Sequence, residues 1–100
     1  MAQTDDSVVP VEAGFTLTLE QLAWSCGTEP DWIYRLVQEE ILLPTGEARV
    51  ALRFDAADLA RAQRAWRLQH ELGANFEALA LMLDLLDEIE HLRTQLRCAR

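Results

Sequence analysis

Apolar residues recur at helical spacing in four segments of the chain. The first segment, LEQLAWSC, places Leu19, Leu22 and Ala23 on one face of a helix. Thr18 precedes this segment as an N-cap, and Gly27 follows it as the left-handed residue that commonly ends a helix. The alternation in FTLT, just before the helix, predicts a short strand.

The second segment predicts another helix and, after it, a β-hairpin. Thr28 is the predicted N-cap, with Asp31 in capping-box position, and helical spacing continues to about Glu40. Two helices of this length joined by a Gly-Thr pair are typical of a helix-turn-helix unit. Pro44 cannot continue the helix, and VALRF suits a strand, so residues 41–54 are predicted to form a wing.

The last two segments predict longer helices. Asp55 is the predicted cap of the third helix, AADLARAQRAWRLQHEL, which ends at Gly73. Asn75 is the predicted cap of the fourth helix, over residues 76 to about 97. Residues 79–86 are apolar nearly all round, which indicates burial on two sides of this helix. The third helix carries an apolar stripe made of Leu59, Ala62, Trp66 and Leu72.

These elements predict one mainly α-helical domain over residues 14–100, preceded by a polar, flexible arm over residues 1–13. No apolar run approaches the length of a membrane span. Cys26 and Cys98 lack the paired spacing of a disulfide framework, so we expect a cytoplasmic protein. Cys26 is predicted to act as a small buried hydrophobic residue.

The sequence contains no pattern that indicates an enzyme, a metal site or a cofactor. His70 and His91 have no dedicated ligand at helical spacing, and we expect both at the surface or at an interface. No glycine-rich phosphate loop is present. Three tryptophans are predicted to pack between the helices: Trp24, Trp32 and Trp66.

The charge of the chain bears on its partners. Asp and Glu number 17 against 9 basic residues, all of them Arg, for a formal net charge of −8. Nucleic acid binding relies on cations that neutralise phosphates, so this balance argues against it and favours a basic partner. Arg49 and Arg53 on the wing favour DNA binding, but the second helix of the helix-turn-helix unit is acidic. Four carboxylates there outnumber Arg35 and Gln38: Glu29, Asp31, Glu39 and Glu40.

The predicted elements follow one another in the order found in MerR-type regulators: a helix-turn-helix unit, a wing, a long helix and a Leu-rich helix. The sequence resembles, more closely, the CbpM family of chaperone modulators, an offshoot that does not bind DNA. The resemblance covers roughly residues 15–97 and rests on Phe54-Asp55, RAWRLQHEL and LALMLDLLDEIEHLR. It implies binding to the J-domain of a CbpA-like, DnaJ-type co-chaperone, and inhibition of that co-chaperone's action on DnaK. The N-terminal arm is longer and more acidic than this pattern requires.

The predicted partner-binding patch lies on the last helix. Asp84, Asp87 and Glu88 stand at i, i+3 and i+4 and therefore share a face, with Glu71 as a weaker member. J-domains generally present a basic helix, which such a patch would suit; the alternative is a solvated helix face. A second acidic cluster lies near the wing, where less apolar surface is expected: Glu39, Glu40 and Glu47.

The last helix also predicts self-association. An apolar seam at heptad-like spacing is more apolar surface than a monomer usually leaves uncovered, so we expect a homodimer. Arg93 occupies the remaining core-like place of this seam, which comprises Leu79, Met82, Leu86, Ile89 and Leu96.

Two other functions stay open from the sequence. One is a MerR-type DNA-binding transcriptional regulator, and the other is an adaptor for a different basic protein. A mobility-shift assay on duplex DNA and a J-domain pull-down would separate the first of these from the chaperone modulator.

Overall fold

Four helices account for most of the residues that the structure describes. A computed structural model describes residues 15–99, so the predicted arm over residues 1–13 lies outside the described part. The mainly α-helical class is confirmed. The helices are α1 (Leu19–Cys26), α2 (Pro30–Gln38), α3 (Ala56–Leu72) and α4 (Phe76–Cys98), with a 3-10 turn at Arg49–Ala51 between α2 and α3.

Local signals fix both ends of α1. The Thr18 hydroxyl accepts a hydrogen bond from the Gln21 amide at 3.1 Å, and the Gln21 side chain accepts one from the Thr18 amide at 2.9 Å. This reciprocal pair satisfies two amides that a helix start leaves without partners. Gly27 ends the helix with a φ of 70°, which glycine adopts without steric cost. The predicted bounds of this helix are confirmed.

The start of α2 differs from the prediction. Helix α2 begins at Pro30, and the preceding residue Glu29 takes the cap position without a side-chain hydrogen bond. The predicted capping box of Thr28 and Asp31 is therefore wrong. Proline suits the first helical position because its missing N–H needs no partner there. The turn between α1 and α2 keeps the helix-turn-helix arrangement.

The predicted wing is not a β-hairpin. Across residues 41–54 the structure has one 3-10 turn and one isolated antiparallel bridge, between Thr45 and Arg53. A second isolated bridge joins Leu17 to Phe54, which is all that remains of the predicted FTLT strand. A Cβ at Gly46 would lie 2.3 Å from the Ala51 carbonyl oxygen, so this tight approach of the chain to itself requires glycine.

The predicted starts of the two long helices are confirmed. The Asp55 carboxylate accepts a hydrogen bond from the Asp58 amide, and the Asp58 carboxylate accepts one from the Asp55 amide, both at 2.9 Å. Gly73 ends α3 with a φ of 69°. The Asn75 side chain then caps α4 by accepting from the Ala78 amide at 2.8 Å.

The core forms where α1, α2, the base of the wing, α3 and the first half of α4 meet. Its largest fully buried side chains are Phe54, Leu22, Ile33, Leu36, Leu42, Leu79 and Leu83. Beyond Leu83, every described residue of α4 is exposed. Among residues 15–99, the predicted burial of this helix on two sides is therefore not achieved.

The three tryptophans do not all pack between helices as predicted. Trp24 is 86% exposed on α1. Trp32 is partly buried, and its ring N–H donates to the Gln69 side chain at 2.7 Å, which ties α2 to α3. Trp66 is partly buried and stacks on His70 with ring centroids 3.5 Å apart. Leu72, predicted as part of the α3 stripe, is 64% exposed.

Candidate partner-binding surface

An open groove of about 370 Å³ lies between the segment that leaves α2 and the pair formed by α3 and α4. Four carboxylates and one guanidinium line it, so negative charge is in excess. Ile41 and the exposed Leu43 supply its apolar part. We call it the acidic groove; its lining residues are Glu40, Ile41, Leu43, Asp58, Arg61, Asp84 and Asp87.

Arg61 connects the three parts of the chain that form the acidic groove: the segment after α2, helix α3 and helix α4. Its Nε donates to the Ile41 carbonyl oxygen at 2.8 Å. Its two terminal nitrogens pair with Asp84 at 3.2 Å and with Asp87 at 2.5 Å. Arg64 adds a longer contact to Asp87 at 3.8 Å. The guanidinium thus has partners on the segment after α2 and on α4. The Asp84 and Asp87 side chains nevertheless remain 75% and 54% exposed.

Local backbone structure positions the other two carboxylates. Asp58 is the third helical residue of α3, where its carboxylate completes the capping box with Asp55. Partial burial raises the pKa of the Asp58 carboxyl, and the nearby Asp55 charge acts in the same direction. Glu40 follows α2 with a φ of 62°, a left-handed conformation that is unusual for a residue other than glycine.

The structure brings together only part of the predicted patch. Asp84 and Asp87 line the acidic groove, and Glu88 is exposed beyond it on α4. Glu71 is ten residues from Arg61 along α3, about 15 Å at the helical rise, so it does not adjoin Asp84 as expected.

The second acidic cluster is divided in the structure. Glu40 belongs to the same groove as Asp84 and Asp87. Glu39 pairs with Arg35 at 2.9 Å, and Glu47 is exposed in the wing. The sequence prediction therefore missed that Glu40, Asp58 and Arg61 belong to this surface.

The arginines on the helix-turn-helix face are engaged within the chain. Arg49 pairs with Asp31 of α2 at 2.8 Å and lies 4.5 Å above the Tyr34 ring. Arg35 pairs with Glu39 and lies over the Phe76 ring, also at 4.5 Å. Arg53 donates to the backbone carbonyls of residues 50 and 52. A phosphate would have to compete with these contacts for every one of these cations.

The predicted self-association seam lies only partly on the surface. Leu79 is fully buried in the chain's own core, so it is not available to a second copy in this conformation. Met82 is partly exposed and Leu86 is 36% exposed. Ile89 is 46% exposed and Leu96 is 70% exposed.

The remaining chemistry of residues 15–99 is sparse. Among these residues, no three His, Cys, Asp or Glu side chains lie together as a metal site would require. Cys26 is partly buried, and this burial raises the pKa of its thiol, whereas Cys98 is exposed. None of the described helices combines the length and the apolar character that crossing a bilayer requires.

Comparison with known proteins agrees with the helix-turn-helix arrangement of α1 and α2. Residues 17–100 match the family described as MerR HTH family regulatory protein. The chain is 31% identical over 87 residues to the chaperone modulatory protein CbpM of Coxiella burnetii, covering 87% of this chain and 82% of that protein.

Further relatives carry the same name. The CbpM of Pseudomonas entomophila is 30% identical over 79 residues, covering 79% of this chain and 78% of that protein. The CbpM of Escherichia coli O1:K1 is 28% identical over 85 residues, covering 85% and 84%. The chain therefore belongs to the MerR helix-turn-helix family and, within it, to the chaperone modulatory proteins named CbpM.

Proposed function

We propose that this protein binds the J-domain of a CbpA-like, DnaJ-type co-chaperone through the acidic groove and so inhibits stimulation of DnaK. Membership of the CbpM family supports a chaperone-modulating role, and relatives of this kind are regulatory proteins rather than enzymes. The observation that carries the finer proposal is the excess of carboxylates around Arg61 beside the exposed Leu43. Partners of this kind imply a cytoplasmic location.

The groove has the composition of a small docking site for a basic helix. Leu43 is 77% exposed and offers an apolar contact, while the carboxylates around it attract cations. Interfaces combine an apolar centre with a polar rim in this way. Arg61 already neutralises part of the negative charge of Asp84 and Asp87. Cations of the partner would therefore share these two carboxylates with Arg61. Exposed charges of this type mainly set the rate of association and its salt dependence.

The direct test is DnaK ATP hydrolysis stimulated by the full-length co-chaperone. Titration of this protein should reduce the stimulation at stoichiometric excess. An unchanged rate at that excess would refute inhibition, and a loss of rate without the co-chaperone would show action on DnaK itself.

A groove variant tests the surface. Combining Glu40→Gln, Asp84→Asn and Asp87→Asn should slow J-domain association by roughly tenfold at low salt, within the range of electrostatic steering. The matched control removes the same charge elsewhere: Glu20→Gln, Glu29→Gln and Glu47→Gln. Equal slowing by both variants would show that overall charge, and not this groove, attracts the partner. Neutralising Glu88 and Glu71 separately tests the two outlying members of the predicted patch.

The alternative function, DNA-binding regulation, is opposed by the engaged arginines. We expect no duplex DNA binding at physiological salt, because Arg35 and Arg49 are paired with carboxylates. A mobility-shift titration measures this, and salt-sensitive retention below micromolar concentration would favour the regulator instead. The other alternative, an adaptor for a different basic protein, predicts groove-dependent binding without any effect on the co-chaperone.

A further inference from the structure

The outer side of α1 carries a tryptophan that residues 15–99 leave uncovered. Trp24 is 86% exposed, although tryptophan is on average one of the more buried side chains. Glu20 lies four residues earlier on the same helix and is also exposed. Residues four apart on a helix are neighbours, with Cβ atoms roughly 5–6 Å apart. The indole ring and the carboxylate therefore lie side by side on the surface of α1.

The same pair of groups binds an arginine on α2. Asp31 and Tyr34 stand three residues apart there, again with the carboxylate first. The Arg49 guanidinium lies 4.5 Å from the centroid of the Tyr34 ring and pairs with Asp31 at 2.8 Å. The ring face attracts the flat cation, and the carboxylate accepts its N–H groups. A carboxylate followed one helical turn later by an aromatic ring thus binds a guanidinium in this fold.

A second arginine is bound by the same two groups from different helices. Arg35 lies 4.5 Å above the Phe76 ring and pairs with Glu39 at 2.9 Å. Glu20 and Trp24 have the composition of these two sites, but the exposure of Trp24 shows that no arginine among the described residues lies over its ring. Tryptophan is the aromatic residue that binds a cation best.

The charges around this pair favour a cation over other ligands. Helix α1 has no basic residue, and Glu29 precedes the helix that follows. The formal net charge of −8 attracts a basic protein surface before any contact forms. A carboxylate beside the ring repels phosphates and contributes nothing to an apolar contact. The ligand that uses both the ring and the carboxylate is a guanidinium.

We propose that Glu20 and Trp24 bind one arginine side chain of a partner protein. The guanidinium stacks on the indole ring and pairs with the Glu20 carboxylate, in the way that Arg49 contacts α2. This does not rest on the proposed function, because no residue of α1 lines the acidic groove. A partner in the groove does not need this site, so Glu20→Gln remains a valid charge control there.

Calorimetric titration of the full chain with nona-arginine and nona-lysine tests the role of the ring. Trp24→Ala should weaken nona-arginine binding by roughly two- to tenfold, and nona-lysine binding less, because an ammonium does not stack flat on a ring. The change leaves the net charge as it is, so general attraction of polycations cannot explain the loss. Val50→Ala is the matched control, since Val50 is 87% exposed, and should change neither affinity. Equal losses for the two peptides, or none for nona-arginine, would overturn the proposal.

The carboxylate is tested with a charge-matched pair of variants. Glu20→Gln should weaken nona-arginine binding by up to about fivefold, the range of an exposed ion pair. Glu77→Gln removes the same charge from the first turn of α4 and should have less effect. Because both groups hold one guanidinium, Glu20→Gln and Trp24→Ala together should cost less than the product of their separate losses. Losses that multiply, or an equal loss in Glu77→Gln, would contradict a shared arginine.

Nuclear magnetic resonance locates the contact directly. The indole N–H resonance that disappears in Trp24→Ala identifies this residue in proton–nitrogen correlation spectra. On titration with nona-arginine it should shift more than the resonance of Trp32, whose N–H donates to Gln69. A Trp24 resonance that stays in place while the peptide binds would refute the site.

Discussion

Both halves of α4 carry leucines, and these leucines differ in what they contact. In the first half Leu79 and Leu83 are fully buried, whereas in the second half Leu92 and Leu96 are largely exposed. Full burial of one leucine stabilises a fold by about 1.5–3 kcal/mol. The first half therefore contributes to folding, whereas the second half leaves its apolar residues on the surface. Position relative to α1, α2 and α3 decides which of these leucines are buried.

The largest expected difference is between Leu83→Ala and Leu92→Ala. The first leaves a cavity in the core and should lower the free energy of unfolding by about 2–5 kcal/mol. The second removes exposed surface and should change it by less than about 0.5 kcal/mol while the protein is monomeric. Urea denaturation followed by circular dichroism measures both. Similar losses would mean that the second half of α4 is packed in solution.

Arg61→Ala should have the next largest effect. It removes the donor to the Ile41 carbonyl and leaves Asp84 and Asp87 side by side, so we expect a loss of about 1–2 kcal/mol after screening of the exposed pairs. Arg93→Ala, in the second half of α4, is the control and should leave the stability of the monomer unchanged. A comparable loss in the control would show that Arg61 is not specially placed.

Asn75→Ala should lower the free energy of unfolding by about 1 kcal/mol, because the Ala78 amide loses its hydrogen-bond partner. Thr94→Ala is the comparison in the second half, where the Thr94 hydroxyl donates to the Glu90 carbonyl and accepts a long hydrogen bond from Arg97 on an exposed helix face. Thermal unfolding at matched low concentration separates the two variants. An equal effect would imply that α4 unfolds from its C-terminal end as cooperatively as from its start.

The smallest effect concerns pH. Burial raises the pKa of the Asp58 carboxyl in the folded state. The folded protein therefore holds this proton more tightly than the unfolded chain, and stability falls as pH rises from the ordinary carboxyl value through the raised one. Asp58→Asn keeps an acceptor for the Asp55 amide and should flatten this part of the profile. Unfolding curves recorded from acid to neutral pH give the slope of stability against pH for both proteins. If Asp58 were not responsible, Asp58→Asn would show the same slope as the wild type.

Helix ends could be predicted from the sequence because their signals are local. Three helices begin after a residue whose side chain caps them through a short-range hydrogen bond: Thr18, Asp55 and Asn75. Gly27 and Gly73 end α1 and α3 in the left-handed conformation that glycine readily adopts. The wing could not be predicted this way. Strand propensity in VALRF was outweighed by the packing of Leu52 and Phe54 into the core and by the tight closure at Gly46.

The candidate site was predictable only where its residues share one helix. Asp84 and Asp87 are three residues apart, so helical spacing sufficed to group them. Glu40 and Arg61 reach the same groove from other segments, and only the tertiary contact between Arg61 and the Ile41 carbonyl joins them. The predicted packing of Trp24 between helices was wrong for a related reason. Helical spacing identifies the helix that carries this residue but not the residues that contact it.

Glu40 shows that the acidic groove is not composed for stability alone. Its left-handed backbone would suit glycine better, and a strained residue of this kind costs about 1–3 kcal/mol. Glu40→Gly should therefore fold at least as stably as the wild type while it removes one carboxylate from the groove. Such a variant would gain thermal tolerance and lose recognition in a single step. A selection for heat resistance and, under the proposed function, a selection for co-chaperone binding would then favour different amino acids at this position.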